Sequence, residues 1–130
     1  MHEWRSHTAE IELAVDADTA EQVFVEAAEA LAELISLGHN GESESHPIAI
    51  EAADLGALLV EWLEELIFLA DTESFVPERV DDLRLDDGSL SATLVGRRGP
   101  IEPLVKAATY HGLRFARSDG VWHAQVVLDV

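Results

Sequence analysis

A pair of carboxylates remote in the sequence, Glu10 and Asp129, with the terminal carboxylate of Val130 beside the second, is the first candidate for chemistry. Glu10 precedes Ile11, Leu13 and Val15, which alternate with polar or small residues. Asp129 follows Trp122, Ala124, Val126 and Leu128, which alternate in the same way. A period of two places each acid on the strand face opposite its apolar neighbours. If the first and last strands lie side by side, these oxygens could hold a hard cation such as Ca²⁺ or Mg²⁺. The plain alternative is a pair of solvated strand carboxylates among the chain's 26 acidic residues. A second candidate is Lys106, the only lysine beside seven arginines, and a compact point charge where arginine is the rule. The third is a pair of histidines: His7, before Thr8-Ala9-Glu10, and His111, at the end of Thr109-Tyr110-His111. Each could act as ligand, proton carrier or hydrogen-bonded sheet residue.

The elements that position these groups follow from spacing and punctuation. A strand is expected over Thr8 to Val15. Asp18 or Thr19 should cap a helix over Ala20 to Leu37, with Gly38 as its stop. His39 to Ser45 reads as loop and Ile48 to Ala52 as a short strand. Asp54 caps a second helix to about Ala70, with Trp62 and Phe24 as core and Glu61, Glu64 and Glu65 on its wet side. Asp71 to Pro77 reads as a connector. Asp87-Gly88 joins two strands, Val80 to Asp86 and Ser89 to Gly96. Asp119-Gly120 turns into a final strand, Val121 to Val130, which ends the chain. The expected fold is α/β (α+β): a two-layer sandwich, a mixed sheet of about six strands with two helices on one face, in a single domain spanning 1–130.

Composition narrows the function. The net charge is −18, with 26 acidic and 8 basic residues. Such a field repels phosphate backbones and argues against direct, extended nucleic-acid binding. The absence of cysteine rules out thiolate chemistry. No apolar run approaches the ~20 residues that span a membrane, and the N-terminus has no secretory h-region, so the expected compartment is cytoplasmic. A Gly-rich phosphate loop, a nucleophile elbow and a paired-histidine helix motif are all missing from the sequence.

Four stretches in register resemble the archease family: His7-Thr8-Ala9-Glu10, DLGALLVEWLEELIFLADTESF at 54–75, VKAATYHGL at 105–113, and Val127-Leu128-Asp129-Val130 at the terminus. The resemblance implies a non-catalytic accessory protein that activates an RtcB-type RNA ligase, with roles in tRNA splicing and RNA repair. That ligase joins RNA ends carrying a 2′,3′-cyclic phosphate or 3′-phosphate to a 5′-hydroxyl, through a guanylylated histidine and Mn²⁺. The activator promotes the guanylylation and hence multiple turnover. The resemblance also implies a divalent metal, most often Ca²⁺, held by Glu10, Asp129 and Val130. It assigns Lys106 a part in activation, and groups with it His111 of the same stretch and His7 of the first stretch. The family carries Asp where this chain has Glu10, a methylene longer, which bears on metal affinity and identity. The loop before Val105 is short for the family.

Two other classes of function compete with the activator. One is a general protein-binding or chaperone-like module that docks through its acidic face. The other is a small metal-dependent hydrolase using Glu10, Asp129 and His7, although the sequence lacks the usual three or four convergent ligands.

Overall fold

The computed structural model describes residues 1–6, 10–38 and 41–130. Among them the chain runs β1 (His2–Ser6), β2 (Glu10–Ala17), α1 (Ala20–Ile35), β3 (Ser43–Glu51), α2 (Leu55–Glu73), β4 (Phe75–Leu85), β5 (Ser89–Arg98), β6 (Ala107–Ser118) and β7 (Val121–Asp129). The strands form two sheets, β1-β2-β7-β6 and β3-β5-β4, and every pairing is antiparallel.

The α+β class expected from the sequence is therefore present, with a different sheet arrangement. In place of one mixed sheet of about six strands there are seven strands in two antiparallel sheets. Helix α2 does link two strands of the same direction, β3 and β4, but β5 lies between them and pairs with both. The additional strand, β1, has a single large apolar residue, Trp4, so its period of two is silent in the sequence. Nor do the helices cover one face only. Helix α1 packs on β2 and on β4, and α2 on β6 as well as β4 and β3, so both bridge the two sheets.

Local signals explain the helix ends. The Thr19 hydroxyl accepts the Gln22 amide at 3.1 Å, and the Asp54 carboxylate accepts the Ala57 amide at 2.9 Å. Helix α1 stops at Ile35, short of Leu37 and Gly38, because Ser36 turns extended and bridges to Ile101. Helix α2 continues beyond Ala70 to Glu73 and closes on Ser74 in the left-handed region, φ 52°. Strand β3 starts at Ser43, inside the expected loop, and β4 takes up the end of the expected connector from Phe75.

Because α2 meets both sheets, it is buried around most of its circumference: Leu58, Leu59, Trp62, Leu63 and Leu66 are all at most 1% exposed. The Trp62 indole donates to the Phe24 carbonyl at 2.9 Å, joining the two helices without leaving a buried N–H unpaired. Phe24, Phe115 and Trp122 stack in series at centroid distances of 5.7 Å, tying α1 to β6 and β7. Trp122, on the apolar face of the final strand's alternation, is only partly buried.

Candidate functional site at the tip of the four-stranded sheet

Strands β2 and β7 are neighbours, and their register sets Glu10 opposite Asp129 and Ile11 opposite Leu128. Directly opposed residues point to one face, with Cβ atoms about 4.5–5.5 Å apart. Leu128 is fully buried and Ile11 packs on the core, so the two acids lie on the outer face, as the alternation predicts. Glu10 is half-buried and Asp129 exposed. Val130 packs its side chain against the core, which anchors the end of the chain beside Asp129.

Strand β6 brings the third stretch to the same tip. Ala107 is the partner of Asp129 on its other side, and the Lys106 amide donates to the Asp129 carbonyl at 2.8 Å. The Lys106 side chain is exposed. Residues 10, 106 and 129–130 thus meet at one end of one sheet. His111 sits further along β6. Between the pairs Thr109–Val127 and Arg114–Gln125, four residues of β6 face one of β7, and Gly112 adopts φ +65° within this bulge. The bulge holds Tyr110 and His111 outward, both exposed, away from the Glu10–Asp129 row. His7 lies outside the described residues.

The donor set fits a hard cation in type, since every candidate ligand is a carboxylate oxygen on adjacent positions. Among the described residues no group of three or more His, Cys, Asp or Glu side chains is arranged to hold a metal. The register brings two candidate side chains together at this tip, Glu10 and Asp129.

Three further carboxylates are less solvated than their place in the sequence suggests. Glu12 is the one buried charged side chain among the described residues, on the same outer face as Glu10, and it accepts from the Arg5 guanidinium at 3.0 Å. Glu61 and Glu64, read as solvated, are half-buried against β6. Glu64 accepts the Ala108 amide at 2.9 Å, and Glu61 accepts the Tyr110 hydroxyl at 3.3 Å. Loss of solvent around that hydroxyl, and then the Glu61 carboxylate, hold the Tyr110 pKa above its ordinary value. The i, i+3 spacing of Glu61 and Glu64 was a signal for a shared face, but nothing in the sequence says that β6 covers it.

The chain matches the Archease protein family (MTH1598/TM1083) over residues 2–130. It belongs to the archease family. Among curated relatives, the protein archease of Methanosarcina mazei is 34% identical over 99% of this chain and 95% of its own length. That of Methanopyrus kandleri is 37% identical over 95% of each. The solution structure of Methanobacterium thermoautotrophicum protein 1598 superposes with a TM-score of 0.77 at 30% identity, covering 99% of this chain and 98% of that one. A Thermotoga maritima crystal structure, described as an archease and possible chaperone, gives a TM-score of 0.69 at 24% identity, over 100% and 98% of the two chains. This last likeness concerns the fold alone.

Proposed function

We propose that this archease is a non-catalytic activator of an RtcB-type RNA ligase, promoting the ligase's guanylylation and multiple turnover in tRNA splicing and RNA repair. The observation that carries the reading is the convergence of the family's separate motifs on one tip. Glu10 opposes Asp129, the Lys106 amide is bonded to Asp129, and the chain terminus is packed alongside.

In this reading Glu10, Asp129 and the Val130 carboxylate would hold a divalent cation, Ca²⁺ by preference over Mg²⁺. When bound, it supplies neutralisation of carboxylates that otherwise repel one another. The longer Glu10 side chain alters how many of its oxygens reach the ion. Lys106 stands beside this acidic tip as the single compact cation, free to meet a phosphate or carboxylate of the ligase. His111, on the exposed bulge of β6, adds a second contact point for the partner. The exposed apolar side chains Phe68, Tyr110 and Leu104 lie on α2, on β6 and just before it, and offer a partner hydrophobic area. The chain works where the ligase works, in the cytoplasm, and makes no extended RNA contact of its own.

The test uses purified components: an RtcB-type ligase, a 3′-phosphate RNA with a 5′-hydroxyl acceptor, GTP and Mn²⁺. Adding this protein should convert ligation from about one round to many, while this protein alone ligates nothing. Ligation unchanged by its addition contradicts the reading, as does turnover by this chain alone that survives repurification.

A further inference from the structure

Strand β6 is an edge of the four-stranded sheet, and its first arm is short. Only Ala107, Ala108 and Thr109 pair with β7 before the bulge begins. An arm of three pairs at a sheet edge, next to a break in register, is a low-stability segment left to itself. Lys106 stands immediately before it and depends on it for its place.

Two carboxylates of α2 reinforce this arm. The Ala108 amide is spent on the Glu64 carboxylate, at 2.9 Å and part-buried. About one helical turn earlier, Glu61 takes the Tyr110 hydroxyl at the start of the bulge. On its other side the arm is held by the Lys106 amide on the Asp129 carbonyl at 2.8 Å and the Thr109 hydroxyl on the Val127 carbonyl at 3.0 Å. The arm that carries Lys106 is thus clamped between β7 and an acidic stripe of α2. A carboxylate accepting from a backbone N–H makes a charge-assisted bond, stronger than an ordinary edge contact. Helix α2 buries Leu58, Leu59, Trp62, Leu63 and Leu66, so the clamp ties the exposed tip to the core.

We infer that Glu64 is a positioning residue for activation: through the Ala108 amide it fixes the β6 arm and, with it, Lys106 relative to Asp129. This inference rests on the activator reading for its functional half. Its structural half stands on the hydrogen bonds alone.

Glu64→Met removes the acceptor while keeping bulk at a half-buried site, and Glu64→Ala is the second variant should the first fail to fold. Glu64→Gln retains a side-chain oxygen of the same reach. Backbone amide exchange is measured by NMR together with stimulation of ligase guanylylation. The expected result for Glu64→Met is exchange at least about tenfold faster at Lys106 and Ala108, with protection retained in the α2 core, and a several-fold loss of stimulation. Glu64→Gln should restore both. Unchanged exchange at Lys106 overturns the inference whatever the ligase does. Faster exchange with full stimulation also overturns it, leaving Glu64 with a merely structural bond. Failure of the wild-type protein to stimulate the ligase defeats the activator reading instead, and the clamp is then judged on exchange alone.

Discussion

Lys106 is the residue on which the activator reading can be probed with least disturbance to the fold. Its side chain is exposed and only its backbone amide takes part in the sheet. Lys106→Ala should therefore shift the melting temperature very little, within about 0.5 kcal/mol in stability, while reducing ligase stimulation several-fold. Circular dichroism melts and guanylylation assays on the same preparation check this, and full stimulation by the variant would make the single lysine a matter of chance. The acids beside it give a second expectation. A cation bound by the folded state alone stabilises it by mass action, about 2.7 kcal/mol at a hundredfold excess over its dissociation constant. Ca²⁺ should raise the wild-type melting temperature. Asp129→Ala should lose that rise while melting, without metal, at the same temperature or higher, because one of two facing like charges is gone. An equal rise in both proteins would place the ion elsewhere.

At the scale of elements, β5 is held against β4 more closely than a side chain permits. A Cβ on Gly96 would run into the Val76 carbonyl oxygen and come within 2.8 Å of the Pro77 Cα, both backbone atoms that cannot swing aside. Gly96→Ala should cost about 1–3 kcal/mol, read as a lower denaturant midpoint with an unchanged slope. Strand β1 is pinned differently, by polar contacts to α1. His2 lies between Glu26, at 2.8 Å, and Glu33, at 3.1 Å, on α1. The His2 hydrogen bond is the largest cause holding the Glu26 carboxyl below its ordinary 4.5, with the N-terminal amine adding to it against partial burial. A depressed carboxyl pKa contributes stability that is full above the unfolded value and is lost as the pH falls through the folded one. His2→Ala should thus be less stable than wild type at about pH 6, with the gap closing as the pH drops below about 4.5. A gap that widens in acid would contradict this pairing. The helices and the two Gly-turn hairpins were legible because caps, apolar arcs and Asp-Gly turns are local signals, as Thr19, Asp54 and Asp87-Gly88 illustrate. The acid pair was legible too, since a period of two fixes the face of Glu10 and Asp129, although their adjacency had to await the β2–β7 pairing. What the sequence hid is non-local. Insertion of β5 between β3 and β4 makes that sheet wholly antiparallel, and the division into two sheets, the β6 bulge and the cover over Glu61 and Glu64 depend on packing that no short window contains.

For the molecule as a whole, a net charge of −18 makes a basic partner surface the natural counterpart. Electrostatic steering predicts that complex formation with the ligase slows steeply as ionic strength rises, with a smaller effect on dissociation. Stopped-flow association at low and high salt checks this, and a salt-independent on-rate would remove charge from the account of recognition. Two sheets share a pair of buried helices, and residues 10, 106 and 129–130 meet at one end of the four-stranded sheet. The most direct measurement is the rate of guanylylation of a purified RtcB-type ligase by radiolabelled GTP and Mn²⁺, with this protein present below stoichiometry. The account predicts that wild type accelerates formation of the ligase–guanylate adduct and that Lys106→Ala and Asp129→Ala, both folded, accelerate it much less. Adduct formation at one rate with wild type, with either variant and with no added protein would contradict it.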